Sequence, residues 1–166
     1  ITSNEIVDKA GVNINSFYRY FYDKHAVLNL LAEEQVRNNC VALKKLIEQA
    51  RNMLIEERFI WVIREITALF SENYQYRREL LFHMSHIIGV KRQFEVRAEI
   101  TEILAPIIPG IIYRTPTEKY RAAQILVQSF MANTVIFLNP EYTQTERRKQ
   151  QAEVVNLVIR FVGLKG

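Results

Sequence analysis

The chain has 166 residues, of which 49% are hydrophobic, while only five are glycine and four are proline. This length is enough for one large domain or two smaller ones with an apolar core, and so few turn-forming residues disfavour a fold built from hairpins. The net charge of +4 permits an anionic partner but is too small to identify one.

A single cysteine, Cys40, excludes an intrachain disulfide and favours a reducing compartment. No apolar run approaches the roughly 18 residues that a membrane-spanning helix needs, and the first residues do not resemble a signal peptide. We therefore expect a cytoplasmic protein that has no membrane partner.

The first helix start is marked by Thr2 and Glu5, which have the spacing of a capping box. This pattern predicts a helix over residues 3–10. Gly11 follows, and its permissive backbone allows a sharp turn out of the helix. The two features together predict a short helix that ends in a tight turn.

Asn13 is a good N-cap for a second helix, which we expect to end near residue 21. Asp23 then caps a third and much longer helix that runs to about residue 52. Tyr22, directly before that cap, stands at the position of a hydrophobic staple, where it would pack against the first turn.

The rest of the chain also has the apolar periodicity of helices. The class predicted from the sequence is therefore all-α, with a helix-turn-helix unit and its connecting long helix in residues 1–50 and a helical ligand-binding and dimerisation bundle in residues 51–166. The further predicted helices cover residues 59–73, 76–88, 92 to the prolines at 106 and 109, 115–138 and 143–163.

The second helix is predicted to bury one side. Phe17 and Phe21 are four residues apart and share a stripe with Tyr20, so we expect all three to pack against the neighbouring helix and the turn, at Ile6, Val7, Ala10 and Val12.

Its other side carries groups that can read DNA. Asparagine can form two hydrogen bonds with adenine, serine can bond to a base or a phosphate, and an apolar side chain can contact a thymine methyl group. The helix N-terminus and the start of the next helix can also bind phosphate. The candidate residues are Asn13, Ile14, Asn15, Ser16, Tyr18, Arg19 and Lys24.

A purely structural interpretation remains open, because helical corners of this kind also occur in proteins that do not bind DNA. The charges do not decide the question. The basic residues Lys9, Arg19 and Lys24 are matched by the acidic residues Glu5, Asp8 and Asp23.

The same segment resembles the DNA-binding signature of the TetR family of transcriptional regulators. The resemblance covers about the first 30 residues, through residues 6–12 (IVDKAGV), 13–21 (NINSFYRYF), 23–24 (DK) and 27–28 (VL). It is specific because the Ala-Gly-Val turn, the Tyr-Arg-Tyr-Phe block and the following lysine occur together at fixed offsets. No comparable signature covers residues 50–166.

The resemblance implies a role for each matching position. Residues 13–16 would face base edges, and Tyr18, Tyr20 and Lys24 would contact phosphates. Thr2 would cap its helix close to the DNA backbone. The sequence departs from the usual pattern at Asn15, where a small residue is common, and at His25, where an acid is common. The family's first helix is not in the sequence, which begins at Ile1, and we expect further residues upstream.

The last two predicted helices have apolar arcs that look too wide for burial on one side only. One interpretation is a four-helix bundle shared by two subunits, which the resemblance favours because it would set two recognition helices about one DNA turn apart. The other interpretation is deep burial within one chain. The candidate dimer residues are Leu126, Phe130, Val135, Val155, Val158 and Phe161.

An aromatic-rich middle segment is the candidate site for a small-molecule effector, although each of its residues could equally be ordinary core. His83 and His86 could share a metal, but no further ligand stands at suitable spacing, so we predict no metal site and no cofactor. The candidate pocket residues are Phe59, Trp61, Phe70, Tyr74, His83, His86 and Phe94.

Together these patterns predict a ligand-responsive repressor that binds palindromic double-stranded DNA as a homodimer. The alternative is a TetR-fold adaptor or co-regulator that acts through protein contacts. An enzyme is not expected, because no nucleophile, base and orienting group stand together and no phosphate-binding glycine loop occurs.

Overall fold

The structure, a computed structural model, describes residues 2–71, 89–137 and 139–165, and the side chains of residues 70, 71 and 134–137 lie outside that description. The described residues are helical and contain no strand, which confirms the predicted all-α class. None of the described helices is both long and apolar enough to cross a lipid bilayer. The helices are α1 (Ser3–Ala10), α2 (Ile14–Tyr20), α3 (Lys24–Gln49), α4 (Ile55–Ser71), α5 (Val90–Leu104), a 3-10 turn (Ala105–Ile107), α6 (Pro116–Phe137) and α7 (Gln144–Phe161).

The helices predicted from capping residues begin where the sequence indicated. In α7, the Thr143 hydroxyl accepts a hydrogen bond from the Glu146 amide at 3.3 Å, and the Thr143 amide donates to the Glu146 carboxylate at 2.7 Å. Thr115 and Glu118 form the same reciprocal pair before α6. Each pair satisfies amides that have no partner within the helix. The predicted helix over residues 76–88 lies outside the described residues.

Helix α4 begins at Ile55, four residues before the predicted start at residue 59. Its first turn carries Glu56 and Glu57, whose charges suit the positive end of a helix dipole. Arg58 reaches back and donates to the carbonyl oxygen of Ala50 at 3.0 Å, which satisfies an acceptor at the end of α3. Ile55 stands four residues before Phe59 and packs against the same core, so the apolar periodicity also extends back to this start.

One apolar core joins the second half of α3 to α4, the end of α5, the 3-10 turn, α6 and α7. We call this part of the molecule the body. Its buried side chains are Leu43, Ala50, Phe59, Val62, Ile63, Ile66, Leu104, Ala105, Ile107, Ile108, Ala122, Ala123, Leu126, Val127, Val154, Val155, Val158, Ile159 and Val162.

The end of α7 packs closely on the loop before α6. Gly163 has a left-handed backbone with φ of 83°. A Cβ atom there would lie 2.8 Å from Cδ1 of Ile112. Beside it, the rings of Tyr113 and Phe161 lie 5.6 Å apart. Glycine is therefore required both by the backbone and by this close approach.

Candidate nucleic-acid interface

The first two helices and their turn form a unit that we call the N-terminal pair, residues 2–21. Thr2 and Glu5 form the predicted capping box at its start, with the Thr2 amide donating to the Glu5 carboxylate at 2.6 Å. These hydrogen bonds, first that from the Thr2 backbone, hold the pKa of Glu5 below its usual value. The threonine hydroxyl is exposed and is already committed to this cap.

The turn between the helices is closed by backbone hydrogen bonds. Gly11 has φ of 65°, its amide donates to the Asp8 carbonyl at 3.3 Å, and the Val12 amide donates to the Val7 carbonyl at 3.1 Å. This is the Schellman arrangement, in which a left-handed glycine ends a helix. It aims α2 across α1, and the two helices pack together.

Fewer side chains of α2 pack against α1 than the sequence predicted. Phe17 is 5% exposed and its ring centroid lies 5.5 Å from that of Phe21, as the predicted stripe requires. Tyr20, however, is 76% exposed. Three residues turn a helix by 300°, so Tyr20 lies 60° to one side of Phe17 and about 100° from Phe21. Its ring therefore points away from the packed side.

The predicted partners of this stripe are confirmed only in part. Val7 is buried and Ile6 is half-buried, as predicted, whereas Ala10 and Val12 are exposed. Val12 follows the left-handed glycine, where the chain turns away from α1, so its side chain is left at the surface.

The outer side of α2 presents most of the candidate DNA-binding residues to solvent. Asn15, Ser16, Tyr18 and Arg19 are exposed, and Ile14 is half-buried. Tyr18 keeps contact with the interior through its ring, which meets Phe17 edge to face at 5.3 Å. The helix therefore offers an amide, hydroxyls and a guanidinium on one supported surface.

Asn13 has a structural role as a helix cap, which limits its capacity to bond to a base. Its Oδ1 accepts a hydrogen bond from the Asn15 amide at 2.7 Å and so caps α2. Two-point recognition of adenine needs both the oxygen and the nitrogen of an asparagine amide. Asn15, whose side chain does not form this cap, is better placed for that role.

The start of α3 is held by Asp23, whose Oδ1 accepts from the Ala26 amide at 2.9 Å. Lys24 is the first residue of this helix and is half-buried. Tyr22 is 91% exposed, so the predicted staple packing at this position is wrong. Tyr22 lies between Tyr20 and Lys24 in the sequence but is not among the candidate DNA-binding residues. The alternation of tyrosines at 18, 20 and 22 is the sequence signal that could have identified it as a further exposed candidate.

The proposed effector residues do not come together in the described structure. Phe59 is fully buried in the body core, whereas Trp61 lies two residues on, about 200° around the helix, in an open groove of about 350 Å³. Phe94 is 59% exposed and stacks on the Arg97 guanidinium, 5.7 Å from the ring centroid. These three residues therefore do not line a shared pocket. The groove is lined by Met53, Glu57, Ile60, Trp61 and Arg64. The side chains of Phe70, Tyr74, His83 and His86 lie outside the described residues.

The predicted dimer residues on α6 and α7 belong largely to the interior of one chain. Leu126, Val155 and Val158 are buried in the body core, because α6 and α7 pack on each other and α7 packs on α4. The contact of these residues with a second subunit stays a prediction. Phe130 and Phe161 are partly buried against the same core. The side chain of Val135 lies outside the described residues.

The same two helices also expose apolar side chains that are not among the predicted interface residues. Ile125 on α6 is 52% exposed and Leu157 on α7 is 57% exposed. Both lie off the buried stripe of their helices, and periodicity alone did not separate them from their buried neighbours.

The chain matches no protein-family model, and no curated protein matches it significantly.

Proposed function

We propose that this chain is a DNA-binding transcriptional regulator of the TetR type, which binds a palindromic operator as a homodimer through α2. One observation carries the proposal. Helix α2 buries Phe17 and at the same time exposes Asn15, Ser16 and Tyr18 on its outer side. A short helix anchored on one face and polar on the other fits the major groove of B-form DNA.

In this proposal, base recognition falls mainly to Asn15 and Ser16. The Asn15 amide can bond to the N6 and N7 atoms of adenine, and the Ser16 hydroxyl can donate or accept. Ile14, half-buried at the helix start, can reach a thymine methyl group. Asn13 keeps its oxygen for the helix cap, so it contributes at most a donor.

Phosphate contacts would come from the flanks of the helix. Tyr18 and Tyr20 present exposed rings and hydroxyls, and Arg19 and Lys24 supply positive charge. The acids Glu5 and Asp23 are engaged in caps at helix N-termini. With few cations on each subunit, the sequence-independent part of binding is small, and specificity depends on the base contacts.

The dimer would use the exposed apolar side chains Ile125 and Leu157, because their burial between two copies removes apolar area from water. A two-fold axis there presents two copies of α2 to two half-sites. Such half-sites lie about one DNA turn apart and are palindromic.

The resemblance adds an effector-binding body, with a helix-turn-helix in front of a C-terminal helical bundle. A ligand that favours one separation of the two α2 helices, where DNA favours another, would release the operator. The open groove beside Trp61, with apolar walls and the charged side chains Glu57 and Arg64, is a candidate place for it.

A second function, an adaptor that acts through protein contacts, is favoured by one observation. In the first 24 residues the basic side chains Lys9, Arg19 and Lys24 are matched by an equal number of acids, so the surface lacks the strong positive field typical of DNA-binding domains.

Fluorescence anisotropy with duplexes selected from a random library, repeated over a salt series, separates the two functions. Arg19 and Lys24 from two subunits give about four phosphate contacts, so log K should fall with log salt at a slope of about −3.6. The absence of binding to any duplex at low salt would favour the adaptor.

A further inference from the structure

Glu33 and Arg92 form a two-pronged ion pair between α3 and α5, which we call the fork. The Arg92 Nε donates to Oε1 of Glu33 at 2.8 Å, and Nη2 donates to Oε2 at 2.7 Å. The remaining nitrogen, Nη1, donates to Oε1 of Glu99 at 2.8 Å. The planar guanidinium thus bonds one carboxylate across the helix boundary and a second one within its own helix.

The pair lies in the part of α3 that carries the N-terminal pair. Glu33 is in the third turn of α3, while Leu43, where α3 first joins the body core, lies ten residues later, about 15 Å along the axis. Near the fork, Ala32, Val36 and Val96 are buried but do not belong to the body core. In the described part of the chain α3 packs on α5, and this ion pair bonds the first half of α3 to it.

The body can orient the N-terminal pair through this half of α3, because only residues 21–23 separate α2 from α3. A small rotation of the first turns of α3 against α5 would move α2 as a unit. We infer that Arg92 is a positioning residue, whose fork with Glu33 sets the orientation of the N-terminal pair relative to the body. Its effect on DNA affinity rests on the function proposed above.

Arginine is suited to this task by its own surroundings. Glu99 and, at 3.6 Å, Glu95 hold the guanidinium from α5, so its side chain is oriented before it meets Glu33. The Arg92 and Glu33 side chains are 30% and 38% exposed, so the pair is only partly screened by solvent. The hydrogen bond from Arg92 also lowers the pKa of Glu33, which keeps the carboxylate ionised.

The orientation can be measured without DNA by double electron–electron resonance. Spin labels are placed at exposed positions Lys9 on α1 and Gln124 on α6, in a Cys40→Ala background, and the labelled chain is diluted into unlabelled protein. The unsubstituted pair should give one narrow distance peak. Glu33→Gln, which keeps the shape and loses the charge, should abolish that single peak, and Arg92→Lys should do so in part because a lysine cannot form the fork.

Glu99→Gln is the matched control, because it removes the charge from an acceptor that bonds the same guanidinium at 2.8 Å but leaves the connection to α3 unchanged. It should keep the narrow peak. If Glu33→Gln leaves the peak intact, or if Glu99→Gln broadens it equally, the inference is overturned. Circular dichroism checks that each variant keeps its helices.

Operator binding then tests the consequence separately. Glu33→Gln should lower affinity about fivefold, at the low end of usual coupling between sites, while Glu99→Gln should not. If the distance peaks behave as expected and no duplex binds, the proposed function fails and the positioning role stands. If the unsubstituted chain binds DNA, and Glu33→Gln and Glu99→Gln bind it with equal affinity, the fork has no effect on DNA affinity.

Discussion

Phe17 and Tyr18 are neighbours in α2 whose rings meet edge to face, with centroids 5.3 Å apart and planes at 88°. Phe17 is buried and Tyr18 is exposed. The buried ring supports the exposed one, so the fold of the N-terminal pair and its proposed DNA contact depend on adjacent residues.

Replacing Phe17 with alanine should unfold the N-terminal pair. The loss of a buried phenylalanine costs about 3–5 kcal/mol, which two short helices cannot absorb. The body should stay folded because Phe17 is not part of its core. Hydrogen exchange resolved by segment should show lost protection in α1 and α2 alone. Phe94→Ala, at an exposed phenylalanine, is the control, and equal losses in the two variants would contradict the account.

Removing the Tyr18 hydroxyl should weaken binding to all duplexes alike. Tyr18→Phe keeps the ring contact with Phe17 and deletes one phosphate hydrogen bond, worth about 1 kcal/mol or about fivefold in affinity for each subunit. Anisotropy with selected and scrambled duplexes measures the effect. Tyr113→Phe, in the body, should change neither affinity. A change confined to one sequence would mean that Tyr18 reads bases.

Charges placed at the exposed apolar positions of α6 and α7 should separate the subunits. Ile125 and Leu157 are exposed at the surface of a single chain, so Ile125→Asp and Leu157→Asp should change the free energy of unfolding of the monomer by no more than about 0.5 kcal/mol. The same substitutions should dissociate the dimer. Sedimentation velocity measures the mass. Val41→Asp, at an equally exposed apolar residue of α3, should leave the dimer intact. An unsubstituted chain that sediments as a monomer would refute the interface.

The capping carboxylates should make the helices sensitive to acid. The side-chain hydrogen bond from Thr143 lowers the pKa of Glu146 below its usual 4.5, and the backbone hydrogen bond from Thr115 does the same for Glu118. A lowered folded pKa stabilises the protein fully above the unfolded value, and this contribution is lost as the pH falls through the folded pKa.

Thermal melts between about pH 6 and pH 3 test this sign. Glu146→Gln keeps the hydrogen-bonding shape of the cap without its titration, so its melting temperature should fall less on acidification than that of the unsubstituted chain. Glu153→Gln, at an exposed acid in the middle of the same helix, is the matched control. A larger acid-induced fall in Glu146→Gln would contradict the assignment.

The features that the sequence predicted well are local. The capping boxes at Thr2 and Thr143, the cap at Asp23 and the left-handed turn at Gly11 each depend on residues within a few positions of one another. The residue type alone predicts the hydrogen bonds of these caps, because a threonine or aspartate directly before a helix has few other partners than the free amides of the first turn.

The features that the sequence could not decide depend on which distant surface covers a helix. Leu126 and Val158 have the apolar periodicity of an interface, but packing within the chain produces the same pattern. Phe59 and Trp61 are both aromatic and close in sequence, yet Phe59 is fully buried in the body core, whereas Trp61 is half-buried and lines the open groove. Composition could not distinguish a pocket from a core, because both are apolar and aromatic.

Selection of duplexes from a random library by the unsubstituted chain and by Asn15→Ala tests the central claim most directly. The unsubstituted chain should enrich a palindrome whose half-sites lie about one helical turn apart. Asn15→Ala should enrich the same palindrome with relaxed preference at one base pair in each half-site, a discrimination of about 1–3 kcal/mol. The claim that the exposed side of α2 recognises DNA would be contradicted by either of two results. The unsubstituted chain would enrich no sequence, or it would enrich the same motif as Asn15→Ala with the same base preferences.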